Sequence, residues 1–212
     1  MAIIKQDLHQ FSMYMKAIDL TFHQYLLLTE EPILVHTGSV TLAEALLPQL
    51  SVVLKDISLK YIFISHFESD ECGGLSQILK QYPEAIPICS EVTARQLEGF
   101  SICNRMMIKK PGDKLTTNSY ELEFLEYPSE MHLWEGLLAY ETHRQIFFSS
   151  DLMMRFGEEL GTEIESSWHS EIKNIQHNQL PDPEKRAKLQ KNLAKLNPKY
   201  IAPGHGPCLK LS

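Results

Sequence analysis

The sequence predicts an α+β domain made of two β-sheets with helices on their outer faces. Strand-like and helix-like runs occur in both halves of the chain, and strands are denser in the second half, which does not suit one parallel sheet. The 212 residues are 43% apolar and 22% charged, enough for one domain with a sizeable core and little room for a second. Lys and Arg total 20 against 27 Asp and Glu, a net charge of −7. That balance argues against nucleic-acid and anionic-membrane partners. No apolar run approaches the ~20 residues of a membrane span. Lys5, Gln6, Asp7, His9 and Gln10 interrupt the opening stretch, so it does not read as a signal peptide. Cys72, Cys89, Cys103 and Cys208 form no C-x-x-C pair, and reduced thiols in a cytoplasmic protein are the expectation.

The elements follow in order. Residues 25–28 and 33–36 read as paired strands across a turn at Glu30, Glu31 and Pro32. Leu42, Ala45, Leu46 and Leu50 share one helical face, and Pro48 is expected to end or kink that helix. Residues 61–65 form an apolar, β-branched run suited to a buried strand. A helix through Leu75, Ile78 and Leu79 follows Gly73 and Gly74, whose freedom is expected to permit a sharp turn. Ile88 and Cys89 begin a strand. Ser90 can cap the helix that runs through Leu97 to Gly99.

In the second half, 105–108 reads as a strand, followed by a turn at Pro111, Gly112 and Asp113. Leu122, Phe124 and Tyr127 lie among Glu121, Glu123 and Glu126, as on a strand with one buried face. Residues 136–140 and 145–148 suit a hairpin. Residues 152–165 show no period and read as a long loop, with Trp168 and His169 beyond it in a segment able to cover a pocket. A helix from Pro183 carries Leu189, Leu193 and Leu196, and 200–202 is a last short strand.

The chemistry concentrates in His66-Phe67-Glu68-Ser69-Asp70-Glu71-Cys72-Gly73-Gly74, directly after a buried strand. Ligand-type residues at i, i+2 and i+4 share a face in an extended segment. An imidazole beside two carboxylates suits a cation, which offsets the repulsion between the anions. Alone, H-x-E-x-D also fits a polar loop with a helix cap. Three further residues change the balance, each at the end of a strand-like run: His132 after Pro128, Asp151 after Ser149-Ser150, and His205 in Pro203-Gly204-His205-Gly206.

The order H-x-E-x-D, a later His, Ser-Asp and P-G-H-G resembles the metallo-β-lactamase superfamily. Within it, the pattern is most similar to the diiron domain of flavodiiron proteins and to single-domain oxygen-binding diiron proteins. The resemblance runs from about Phe22 to Gly206. It implies an αββα four-layer sandwich with two metals at one edge of the sheets. His66, Glu68 and His132 would bind the first metal, Asp70 and His205 the second, and Asp151 would bridge them. Hydrolytic members carry His where Glu68 stands. A carboxylate there makes the site harder and more anionic, favouring iron or manganese over zinc. In the resembled family that Glu goes with iron and redox chemistry.

Two positions depart from the family pattern. Glu71 stands where a second consecutive His is usual; ligation of the second metal and a side chain pointing away both remain open. His36 stands where many members have Asp, and suits either a donor behind the ligands or a packing change. His23 suits a satisfied core histidine.

The resemblance implies a nonhaem diiron protein that binds or reduces O2 or NO, as an oxygen sensor or a reductase. No flavin-phosphate loop and no flavodoxin domain is read in these 212 residues, and no FMN site with it. The implied electron source is an external flavoprotein or a rubredoxin-type donor, and analogy implies a homodimer. A dinuclear metal-dependent hydrolase is the alternative, since two metals also activate water without any electron donor.

Overall fold

The computed structural model describes residues 2–5, 7–128 and 136–212. His132 lies outside the described residues. The first seven strands are β1 Ala2–Lys5, β2 Leu8–Met15, β3 Leu20–Leu27, β4 Ile33–Val35, β5 Tyr61–Phe63, β6 Ile86–Cys89 and β7 Met107–Ile108. They form one sheet in chain order, antiparallel from β1 to β4 and parallel from β4 to β7. The second sheet comprises β8 Lys114–Thr116, β9 Glu121–Tyr127, β10 Gly136–Glu141, β11 Ile146–Ser150, β12 Glu163–Ser166, β13 Tyr200–Pro203 and β14 Cys208–Leu211. Its order is β12-β14-β13-β11-β10-β9-β8. The helices are α1 Val40–Leu54, α2 Ser69–Cys72, α3 Leu75–Gln81, α4 Glu91–Gly99, α5 Trp168–Lys173 and α6 Pro183–Leu193.

Strand alternation produces the layers. Tyr25, Leu27, Ile33 and Val35 face Phe124, Leu137, Ala139, Ile146 and Phe148 in the core between the sheets. Their neighbours Leu26 and Leu34 point the other way, onto Leu46 and Leu50 of α1, Leu75 and Ile78 of α3 and Leu97 of α4. On the far side, Leu138, Phe147 and Ile201 pack against Leu189 and Leu193 of α6. The result is helix, sheet, sheet, helix.

Local signals hold where side chains cap or alternate. Ser90 accepts from the Thr93 amide at the start of α4, and Asp182 accepts from the amides of Glu184 and Lys185 at the start of α6. Several expectations are corrected. Helix α1 runs through Pro48 to Leu54, because Leu46, Leu50 and Leu54 bury one continuous face against the first sheet. The loop 152–165 runs into β12, which pairs parallel with β14. Gly73 and Gly74 do not take a left-handed turn, having φ of −61° and −85°. Gly74 serves close packing instead: a Cβ there would lie 2.3 Å from the Ala43 Cβ. Trp168 begins α5, stacks edge-on against Phe147 and donates to the Leu193 carbonyl, so it fastens the outer helices and is no pocket cover.

Candidate metal centre

Three strand ends meet at one edge of the sandwich. The chain leaves β5 into Ser65 and His66, leaves β11 into Asp151, and leaves β13 into Gly204 and His205. Backbone bonds tie the segments together: Leu137 N donates to Ser65 O at 2.8 Å, Gly204 N to Ser150 O at 2.8 Å and His23 N to Gly204 O at 2.9 Å. Gly206 makes the last turn possible with φ of +90°, and a Cβ there would lie 2.9 Å from the Arg155 backbone.

These ends bring five ligand-type side chains together. His66 Nε2 lies 3.4 Å from Asp151 Oδ2 and 3.7 Å from Glu71 Oε2. His205 Nε2 lies 3.3 Å from Asp70 Oδ2 and 3.4 Å from Asp151 Oδ1. Each Asp151 oxygen therefore faces a different imidazole. Two compact donor sets result, His66 with Glu71 and Asp151, and Asp70 with Glu71 and His205. Glu68 Oε2 is 3.1 Å from His66 Nε2, but its side chain is 41% exposed and it stands outside both sets, at the rim.

Hydrogen bonds fix how the imidazoles present themselves. A carbonyl only accepts, so Thr21 O, 3.1 Å from His205 Nδ1, places the proton on that nitrogen and leaves Nε2 towards the carboxylates. Behind His66, the Ser65 hydroxyl lies 3.0 Å from Nδ1, 2.8 Å from Ser150 Oγ and 2.9 Å from His36 Nε2. In the tautomer that turns His66 Nε2 to the site, Nδ1 donates to Ser65 Oγ. His36 is thus a partner behind the ligands, held by a left-handed φ of 63°. Phe22 lies edge-on to His205 and Tyr127 edge-on to His66. Sequence reasoning missed Ser65, Thr21 and Tyr127, which act through contacts that no spacing announces. His23 is satisfied as expected: Nε2 donates to Gly206 O at 2.7 Å and Nδ1 accepts from Ser12 Oγ at 2.8 Å.

The electrostatics call for a cation. Burial, reinforced by Asp151, Asp70 and Glu68, drives the Glu71 carboxyl well above the ordinary carboxylate range. Burial alone would lower His205, but hydrogen bonding to Asp151 and Asp70 outweighs it and raises its pKa to about 10. Buried like charges and an imidazole held towards them fit a positive ion. The donor set, carboxylate oxygens with imidazole nitrogens, fits iron or manganese, with zinc less favoured. A cavity of about 660 Å³ opens onto the cluster. Its walls are largely apolar, with Met15, Leu20, Phe22, Leu42, Met154 and Phe156 opposite Asp70, Asp151 and His205.

Comparisons with known proteins agree with this architecture. Diflavin flavoprotein A 1 of Synechocystis sp. is 24% identical over 199 residues, 90% of this chain and 34% of its own length. The nitric oxide reductase of Moorella thermoacetica is 24% identical over 146 residues, 68% of this chain and 36% of its own. The rubredoxin oxygen:oxidoreductase from Desulfovibrio gigas superposes with a TM-score of 0.80 at 17% identity, covering 99% of this chain and 57% of that one. The expected metallo-β-lactamase-like sandwich is therefore the observed fold. The chain spans about a third of the length of the curated relatives it matches. Among the described residues no helix is long and apolar enough to cross a membrane. The model of the ODP family beta lactamase matches residues 20–206, and with two sheets meeting at this ligand cluster, the chain belongs to that family.

Proposed function

We propose that this domain holds two iron ions and reduces dioxygen or nitric oxide at the dinuclear site, with electrons from a flavin- or rubredoxin-type donor outside these residues. The observation that carries the reading is Asp151, one oxygen on each imidazole, between two donor sets that share an acidic core. The ligand set is His66, Glu68, Asp70, Glu71, Asp151 and His205, with His132 assigned by resemblance of sequence. Two ferrous ions would supply one electron each to the gas. The named relatives, a nitric oxide reductase, a rubredoxin oxygen:oxidoreductase and a diflavin flavoprotein, support gas reduction and a flavin or rubredoxin source.

The chain's own residues set the conditions. Thr21 O and Ser65 Oγ orient the two imidazoles before any ion arrives, so little rearrangement is needed. Met15, Leu20, Phe22, Leu42 and Met154 give the cavity an apolar wall that suits an uncharged diatomic gas better than an anionic ester. Burial, reinforced by Asp151, Glu71 and Glu68, holds the Tyr127 phenol well above its ordinary range, so its oxygen keeps its proton at the cavity wall.

The test is anaerobic loading with ferrous iron followed by addition of oxygen or nitric oxide. The expected result is two irons per chain, a new visible absorption and gas-dependent oxidation of the iron. Iron that stays ferrous in both gases would overturn the proposal, as would efficient phosphodiester hydrolysis by the zinc-loaded protein.

A further inference from the structure

We infer that Glu71 is a ligand shared by both metal positions, so that this chain uses a fourth carboxylate where the resembled family has an imidazole. The inference rests on the dinuclear reading above and specifies its chemistry.

Three observations carry it. Glu71 is 1% exposed, yet its Oε2 accepts no hydrogen bond from the described residues. A buried acceptor left unpaired is costly, and more so when charged, so its place in the fold calls for a partner. That oxygen is 3.7 Å from His66 Nε2, and Glu71 is the residue common to the donor sets around His66 and His205. The main chain is held independently of any ion. Glu71 O accepts from Thr37 N at 2.8 Å and from Thr37 Oγ1 at 3.2 Å. Gly74 then packs against Ala43 of α1 too closely for any other residue. The side chain is aimed by packing at the point between the two sets.

Charge counting agrees. Glu68, Asp70, Glu71 and Asp151 carry four negative charges when ionised, and two divalent ions carry four positive. The reduced pair is then neutral, whereas an imidazole at position 71 leaves it with one excess positive charge. An additional buried anion favours the more highly charged oxidised pair. Glu71 should therefore lower the reduction potential of the site as well as tighten its hold on metal.

The experiment titrates chelator-stripped protein with ferrous iron under anaerobic conditions and compares the wild type with Glu71→Gln and Glu71→His. Far-UV circular dichroism of each stripped variant checks its fold. The wild type should bind two irons. Glu71→Gln should lose one, or bind it roughly tenfold or more weakly. Glu71→His should keep two irons, with a midpoint potential shifted upwards relative to wild type. If Glu71→Gln fails to fold, the potential of Glu71→His decides. Two irons bound with wild-type affinity in Glu71→Gln, or an unshifted potential in Glu71→His, would overturn the inference and leave the dinuclear reading standing; Glu71 would then be a protonated acid sharing its hydrogen with Asp70. A wild type that binds no iron would overturn both.

Discussion

Two groups of buried polar side chains sit side by side at one edge of the sandwich, and they solve burial differently. The first is a clasp on β3. Tyr25 Oη donates to Pro203 O at 2.8 Å and His23 Nε2 donates to Gly206 O, so two neutral side chains hold the backbone on either side of His205. The second is the cluster of His66, Asp70, Glu71, Asp151 and His205, in which three carboxylates crowd together and Glu71 Oε2 accepts no hydrogen bond from the described residues. A satisfied neutral pair contributes to stability by itself. A knot of like charges does not, and it persists where a ligand completes it. The difference separates residues that hold the site from residues that use it.

Asp151→Asn should give the largest effect that tests this division. Removing the carboxylate that faces both imidazoles is expected to weaken retention of the metal pair on the order of 100-fold or more. The metal-free protein should melt close to wild type, because the repulsion relieved at Glu71 and the attraction lost to His205 oppose one another. Metal analysis after dialysis, with thermal unfolding of the stripped protein, checks both halves of that expectation. A lower melting temperature in the metal-free variant would mean the cluster is structural after all.

The clasp should respond to acid. Burial, reinforced by His205 and opposed by the Gly206 carbonyl, lowers the pKa of His23 from 6.5 to about 4. As the pH falls below about 6.5 the unfolded chain takes up a proton that the folded chain refuses. The share of stability set by His23 is therefore complete near neutral pH, is lost progressively down to about pH 4, and levels off below. The loss amounts to at most about 3 kcal/mol. Denaturant unfolding of metal-free protein from pH 7 to pH 4 measures it, and His23→Gln should flatten the profile by that share. Identical profiles would remove His23 from the clasp.

Tyr25→Phe should give the smallest effect. It deletes the bond to Pro203 O within a buried setting and should cost roughly 1–3 kcal/mol of stability. Metal content should stay at the wild-type value. Loss of metal in this variant would erase the distinction between holding and using.

Legibility in the sequence followed the same division. The meeting of His66, Asp70, Asp151 and His205 is legible because each lies beyond a run with strand character, and strand β9 because Leu122 and Phe124 alternate with glutamates; Glu68 is legible by spacing alone and stands at the rim. Strands β1, β2, β8, β12 and β14 are not legible in the sequence. Gln10 and Ser12 place polar side chains on a strand whose Leu8 and Phe11 are buried, which blurs the period-two signal. The direction of Glu71 could not be read either. It depends on the turn of α2 and on packing of Gly74 against Ala43, which are contacts between segments. Ser65 and Thr21 position ligands through one hydroxyl and one carbonyl, and neither leaves a trace in residue spacing.

The supply of ligands from both sheets also has a consequence for the order of synthesis. His66, Glu68, Asp70 and Glu71 emerge from the ribosome together, as an acidic loop on the parallel half of the first sheet. Asp151 follows some eighty residues later, and His205 reaches its place only when β13 has docked beside β11 and Gly204 has met β3. A nascent chain therefore offers a loose, oxygen-rich loop to any divalent ion in its surroundings, and the selective nitrogen–oxygen cage exists only once both halves have closed. Metal choice at this centre belongs to the finished fold, and loading should be done on folded protein.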